Sequence, residues 1–503
     1  MTGLLAQAQP RPRIEVPAIE YSAMAPQLVL IGAALLLLVV VSLVRRPPPW
    51  LWPLLTVAAG GAALAASLWL WADVRDDGPA RVVADALVVD GFAAFFMVLL
   101  SATVVMGALL GQGYLDREGV RGPEFYVLLL LSTAGGLFMA SANDLIVVFL
   151  GLEVLSIALY VLAGFQGRRQ ASREAAMKYF VLGAFSSALF LYGVALVYGA
   201  TGSTNLASVG SYLAANVATG EGVLLAGMAL LLVGLGFKVA VVPFHTWTPD
   251  VYQGSPSPVT GFMAAAAKAA GFAALLRVFA STFATLRLDW RPVVWVLAVV
   301  TMLVGSILAV VQNDVKRMLA YSSISHAGYV LIGLEAASDR GVAGSLFYLL
   351  AYTFMVMGSF AIVTVVGRRG DRRHGLDEYR GLAVRRPALA LAFAVFLMAQ
   401  AGVPFTTGFL AKFYVISAAV ESRSYALALI GMLSAVIAAF FYLRLVIVMY
   451  SPPAAGGGEE APPALALPAS HAIAVAVAAA FTVAFGVLPS AMVTFARQAS
   501  LLL

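Results

Sequence analysis

The stretch GLGFKVAVVPFHTWTPDVYQGSPSPVTGFMAAAAKAAGF, residues 234–272, decides the fold of this chain of 503 residues. Apolar, helix-forming sequence runs into it and continues beyond it, yet Pro243 interrupts the first run, with Lys238 and Lys268 on either side. Proline removes a backbone donor and clashes with the preceding turn, so a helix entering here breaks near Pro243. A second interruption, AGVPFTTGFLAKFYVISAAV at 401–420, repeats the arrangement, with Pro404 at the break and Lys412 eight residues beyond it. Freed backbone groups at membrane depth are tolerated only where they are buried in protein or line a wet cavity. One such proline reads equally well as a packing kink; two broken helices are harder to assign to packing alone.

Membrane depth follows from composition. Hydrophobic residues make up 62% and charged residues 11%, with mean hydropathy +0.93, which indicates an all-α polytopic integral membrane protein. The chain has no cysteine, which excludes thiolate iron–sulfur ligation, zinc–cysteine sites and disulfides. The net charge of +6 comes mainly from arginine-rich loops and does not indicate nucleic acid. Residues 1–25 hold Arg11, Arg13, Glu15 and Glu20 but no apolar core of signal-peptide length, so no cleavable targeting segment is expected.

A span needs about 20 apolar residues. Fourteen segments qualify: about 26–44, 50–71, 88–110, 124–141, 143–165, 174–199, 222–252, 257–280, 290–311, 317–335, 342–367, 385–421, 425–450 and 470–495. An even number puts both termini on one side. The side reached after the first span holds sixteen loop cations, among them Arg45, Arg46, Arg121, Lys316 and seven from Arg368 to Arg386. The terminal side holds nine, including Arg11 and Arg13. The positive-inside rule then places both termini outside. The seventh and twelfth segments are the two interrupted ones, five apart. Five is odd, so a tandem unit of that size sits upside down in its second copy, as in inverted-repeat transporters. The expected organisation is one membrane domain: three helices over 26–110, units over 124–280 (helices 4–8) and 290–450 (helices 9–13), and a last helix at 470–495.

Four of the five lysines, Lys178, Lys238, Lys268 and Lys412, fall inside these segments, whereas all of the 26 arginines except Arg277 and Arg444 fit loops, tails or helix ends. An ammonium near the bilayer midplane is costly, and lysine can release its proton there while arginine effectively cannot. That choice points to proton carriage. Glu153 is the carboxylate deep in a span, ten residues past Asn143 and so about 15 Å along the axis. A structural ion pair with one lysine is the plainer account, but one acid among four buried cations is too unbalanced for it. Lys178 lies about a turn and a half inside its helix, where reaching back to the surface is a serious rival explanation. His245 falls between Lys238 and Lys268, and His326 lies among Tyr321, Ser322, Ser323 and Ser325. A lone histidine is as often a satisfied hydrogen-bonding residue as a relay, although its titration range suits relay work. His374 and His471 are assigned no role.

These residues carry a further pattern. EAAMKYFVLGAFSSALFLYGVALVYGATGSTNL, the 236–264 stretch, KRMLAYSSISHAGY and LAKFYV together resemble the subunit N family of proton-pumping NADH–quinone oxidoreductases, bacterial complex I, over about residues 90–450. The FHxWxPD element is shared by the wider antiporter-like group, whereas KYFxLGAFSS…YGATGS is more specific to subunit N. The resemblance implies fourteen helices with inverted five-helix repeats and a proton channel. It implies Glu153 as the helix 5 acid with Lys238 as its helix 7 partner, Lys268 at the centre and Lys412 in the outlet half. Subunit M usually carries glutamate at that last position, so Lys412 argues against M. The resemblance also implies a bacterial inner membrane and, as partners, other membrane subunits of complex I, including antiporter-like neighbours and the lateral helix of subunit L. No cofactor is implied in this chain; FMN, iron–sulfur clusters and quinone are expected in partner subunits.

On this reading Glu153 offsets the buried charge of Lys238; when that influence weakens, the proton moves through His245 and water to Lys268 and on to Lys412, with Lys178 and His326 secondary. Moving one charge against 100 mV costs about 2.3 kcal/mol, so an external drive is required. No nucleotide loop, Walker motif or flavin signature supplies one here. A cation/proton antiporter subunit, or the equivalent subunit of a membrane-bound hydrogenase or related dehydrogenase, is the main rival. A membrane scaffold without transport leaves the buried lysines unexplained. The orientation has a direct test in this cysteine-free chain: a single cysteine at position 370 should be labelled only from the cytoplasmic side, and labelling from outside overturns it.

Overall fold

The computed structural model describes residues 19–44, 48–120, 122–216, 221–452 and 467–499. Arg11, Arg13, Arg45, Arg46 and Arg121 of the orientation count, and all but the start of the Pro/Gly-rich 451–465 stretch, lie outside the described residues. In hydrocarbon every backbone N–H and C=O must be satisfied within its own segment, so the apolar runs become helices. Among the described residues twelve continuous helices are long and apolar enough to cross a bilayer. The other two expected segments are helical as well. Val315–Glu335 carries serines, His326 and charged ends, and the twelfth segment is split into Pro387–Ala401 and Thr407–Glu421.

Both interruptions fall where proline places them. The seventh helix, Glu221–Val239, stops at Ala240, which has φ +63°, and resumes as Trp247–Gly254. The twelfth stops at Ala401; Gly402 (φ +97°) and Phe405 (φ +66°) turn the chain before Thr406 caps the second half. The eighth segment, Ser257–Thr282, is buried except at Ala280, which is half-buried, and contains two π-helical turns, Met263–Ala267 and Arg277–Thr282. Such turns insert a residue into the helical ladder and often mark functional positions. Lys268 follows the first of them directly. Arg277, in the second, makes a bidentate pair with Asp90 at 2.9 Å and also donates to the Ala140 carbonyl.

Small residues bring the helices close. A Cβ on Gly135 would lie 2.7 Å from the Gly151 carbonyl oxygen, and one on Gly151 would lie 2.8 Å from the Gly135 oxygen. Backbones of the fourth and fifth helices therefore touch at this crossing, as small-residue interfaces allow. Outside the spans lie a hairpin, Ala80–Val82 with Leu87–Val89, and a short helix Ser490–Gln498.

One expectation is corrected. Lys316 does not lie in a polar loop; it is the second residue of Val315–Glu335 and fully buried, donating to the Ser255 carbonyl at 2.6 Å. Its counter-charge is Asp371, itself fully buried in the loop between the eleventh and twelfth segments, 3.5 Å away. Asp371 also accepts from the Ser257 amide at 3.0 Å and hydroxyl at 2.7 Å, from His374 at 2.9 Å and from Arg169 at 3.4 Å. Four separate parts of the arginine-rich face are thus tied to one carboxylate. Burial pushes this carboxyl upward, but Lys316, His374 and Arg169 outweigh it and hold it well below the usual carboxylate range.

Two outcomes follow for stability. Gly135→Leu should destabilise the protein by about 1–3 kcal/mol through overpacking, whereas Gly61→Ala, with open space around it, should not; thermal inactivation in detergent compares them. Asp371→Ala strands Lys316 in the interior and should cost about 3–5 kcal/mol. Because the folded-state value of Asp371 is depressed, its contribution is present above the ordinary carboxylate range and fades only as pH falls well below it. Acid inactivation of the wild type should show this, with the variant losing that acid-dependent component.

Candidate functional site

Lys238, near the end of the first half of the seventh helix, is buried between the fifth and sixth helices. Its ammonium donates to Ser156 Oγ at 2.8 Å and Tyr179 Oη at 3.3 Å, and lies 5.6 Å from the Tyr179 ring centre. The expected pair with Glu153 is not formed as an ion pair. Ser156, three residues further along the same helix, takes the ammonium, while Glu153 is only half-buried and its Oε1 has no hydrogen-bond partner. Glu153 borders an outward stripe of the fifth helix formed by Leu150, Val154, Ile157 and Val161, all exposed on this chain.

Lys178 stands apart from this site. Its side chain is 41% exposed and bridges Glu174 and Asp250, each at 2.7 Å, so it reaches back to the surface and touches neither Glu153 nor Lys238. His245, in the break, is half-buried; its Nδ1 is unpartnered and it contacts neither neighbouring lysine through a hydrogen bond.

Lys268 is held by one residue of the tenth helix: its ammonium donates to the carbonyl and, at 2.6 Å, to the hydroxyl of Ser323. It lies 5.9 Å from the centre of the Tyr352 ring, which in turn sits 4.8 Å from the His326 ring. His326 is buried with both nitrogens engaged, Nδ1 with Tyr348 Oη at 2.6 Å and Nε2 with Tyr442 Oη at 3.1 Å. Tyr348 stacks on Tyr329 at 5.9 Å, and Lys412 lies 5.0 Å from the Tyr329 ring. The Lys412 ammonium donates to the carbonyls of Gln400 and Ala401 at 3.0 and 2.8 Å, the last acceptors of the first half-helix before the break. The break thus has a chemical consequence, since carbonyls that a continuous helix would consume are free to hold an ammonium.

The structure therefore brings Lys268, His326 and Lys412 into one buried cluster, sets the Tyr179, Trp247 and Tyr252 rings in a row leading from Lys238, with centroids 4.5 and 6.2 Å apart, and leaves Glu153, Lys178 and His245 at its margin. The sequence reading missed Tyr179, Tyr329, Tyr348, Tyr352, Tyr442 and Ser156, and placed Ser323 beside His326 without a link to Lys268. Among the described residues no group of histidine, aspartate and glutamate is arranged to hold a metal ion. An array of proton donors and acceptors without metal ligands can pass protons, bind water and store charge.

Comparison with known proteins is consistent with this arrangement. Residues 142–438 match the family model described as NADH:quinone oxidoreductase/Mrp antiporter, TM. Among curated relatives, NADH-quinone oxidoreductase subunit N of Trichlorobacter lovleyi is 43% identical over 415 residues, 82% of this chain and 84% of the relative. Subunit N of Rhodococcus opacus is 40% identical, covering 97% of both chains. Among solved structures, a chain of respiratory complex I from Thermus thermophilus with bound aureothin superposes with TM-score 0.79 at 34% identity, covering 94% of this chain and 99% of that one. A chain of the Mrp complex from Dietzia sp. superposes with TM-score 0.83 at 24% identity over 95% of this chain, a likeness of fold alone. With identity at this level along most of its length, this multi-pass membrane protein belongs to the subunit N family of NADH-quinone oxidoreductase, within the antiporter-like membrane subunits.

Proposed function

We propose that the chain translocates protons for a respiratory NADH–quinone oxidoreductase, with Lys238, Lys268, His326 and Lys412 as the relay. The observation that carries this reading is that Lys238, Lys268 and Lys412 are each held by hydroxyls and carbonyls, whereas the fourth buried lysine, Lys316, is paired with the carboxylate of Asp371. An ammonium bound only by neutral acceptors can give up its proton without stranding a buried anion. The rings and hydroxyls of Tyr352, Tyr348 and Tyr329 line the way from Lys268 to Lys412. Helices 4–8 and 9–13 are read as the two inverted units, each with its broken helix, in a single membrane domain. Both termini lie outside a bacterial inner membrane.

Redox chemistry belongs to partner subunits, which carry FMN, iron–sulfur clusters and the quinone site. The adjoining partners are membrane subunits: antiporter-like neighbours and the lateral helix of subunit L. Glu153 is placed to receive their influence, because its half-buried carboxylate borders the outward face of the fifth helix within electrostatic reach of Lys238. The alternative, a cation/proton antiporter subunit, shares the fold but has only distant sequence likeness in its support.

Arginine keeps the charge and much of the volume of lysine but does not release a proton. Lys412→Arg complexes should therefore assemble and oxidise NADH, yet pump fewer protons per electron than wild type. Reconstituted vesicles with a pH-sensitive dye read the ratio; wild-type pumping in a fully assembled Lys412→Arg complex removes Lys412 from the relay.

A further inference from the structure

The WTPD element within residues 247–250 is not used by the relay, yet its aspartate occupies a distinctive position. Asp250 lies on the second half of the broken seventh helix, Trp247–Gly254, at the arginine-rich face. Each carboxylate oxygen is held by a cation from a different helix: Oδ2 by Lys178 of the sixth at 2.7 Å, and Oδ1 by Arg317 of the tenth at 2.6 Å. A polar cavity of about 290 Å³ opens beside it, lined by Asp250, Lys178, Glu174, Gln253, Asp314 and His374 among others. Near the start of the half-helix and just past its end lie polar groups that no protein atom satisfies. Thr248 Oγ1 and Ser255 Oγ are buried without partners. Buried polar atoms are almost always satisfied by protein or by ordered water, so this segment is built to hold water. Two residues past Asp250, the buried hydroxyl of Tyr252 meets Ser323, the residue that holds Lys268.

We propose that Asp250 is the intake acid of this chain: it takes up protons from the cavity at the arginine-rich face and delivers them to Lys268 through bound water, Tyr252 and Ser323. The inference rests on the relay reading above and adds the source of the proton that reaches its centre. Uptake requires the Lys178 and Arg317 pairs to open, because both cations favour the anion, and then places a proton on one carboxylate oxygen. The neutral acid then passes that proton inward. Water, the Tyr252 phenol and the Ser323 hydroxyl each accept one proton and donate one, so none is left charged. Lys268, arriving as the amine after giving its own proton toward Lys412, ends as the ammonium. The regenerated Asp250 carboxylate recaptures both cations and closes the cavity's inner end. Delivery is thereby coupled to ion-pair rupture, and a closed pair blocks backflow.

The test is made on the assembled complex in vesicles, reading NADH oxidation and proton uptake together. Asp250→Asn keeps the shape but carries no proton, so protons pumped per electron should fall below wild type. Asp250→Glu restores the acid and should restore the ratio. The double variant Lys178→Met/Arg317→Gln removes both ion pairs and keeps the acid; it should pump at first and lose more of its gradient by backflow. A merely structural Asp250 gives the opposite pattern: Asp250→Asn and the double variant lose assembly alike, and Asp250→Asn, where it assembles, pumps as wild type. Either result overturns the proposal. If Asp250→Asn does not assemble, the double variant decides alone, since assembly with pumping supports an acid role and failure overturns it. Lys268→Ala separates the two levels of the argument. Loss of pumping there with full pumping in Asp250→Asn sinks the intake acid only, whereas full pumping in Lys268→Ala sinks the relay itself.

Discussion

An ammonium at membrane depth must be given oxygen acceptors by the protein, because lipid offers none. Much of the architecture answers that demand. Lys412 takes the two carbonyls freed where the twelfth helix ends at Ala401. Lys268 takes both oxygens of Ser323, from a position set by the π turn that precedes it. Lys238 takes the Ser156 and Tyr179 hydroxyls just before the seventh helix breaks. Each of these irregularities in the helical ladder stands beside a lysine. The close backbone crossings at glycine and the buried Arg277–Asp90 pair keep the surrounding helices rigid enough to hold those acceptors in place.

Spans and breaks are legible in the sequence because hydropathy and proline are local signals, read within a single segment. Lys238, Lys268 and Lys412 are legible for the same reason: a charge inside an apolar run needs no neighbour to be conspicuous. Their partners are not. Tyr329, Tyr348 and Tyr442 look like ordinary core aromatics until three separate helices bring them around His326, and Ser156 is one serine among many. The π turns Met263–Ala267 and Arg277–Thr282 have no sequence signal of the kind proline provides. Lys316 and Asp371 mislead in the other direction. They sit in stretches rich in charge, which read as solvated, and only the tertiary arrangement shows both fully enclosed. Glu153 is conspicuous as an intramembrane acid, but its side-chain environment depends on which face of the fifth helix it borders.

The likeness to an Mrp complex chain at 24% identity shows the same scaffold inside a different assembly. What can differ between such chains is what their edges meet. In this chain the outward stripe of the fifth helix carries a half-buried carboxylate with an unsatisfied oxygen, and the opposite margin of the site ends in the surface pair of Lys178 and Asp250. Lys238, Lys268 and Lys412 find their acceptors within the chain; the margin is where an outside influence can act on them.

The acceptors around the three lysines differ in one respect that reaches beyond positioning. A hydroxyl can rotate and turn its hydrogen toward a nitrogen lone pair, whereas a carbonyl only accepts. Lys238 and Lys268, beside Ser156 and Ser323, can each keep a hydroxyl partner whether the nitrogen carries three hydrogens or two. Lys412, facing the carbonyls of Gln400 and Ala401, gains nothing from them for a bare lone pair. The first two sites can therefore offer a hydroxyl partner to either protonation state, whereas the carbonyls at the third serve only the ammonium. In the proposed relay, a water molecule or a swing of the side chain would have to supply the missing donor whenever Lys412 gave up its proton, which would make that last position the stiffest step of the row.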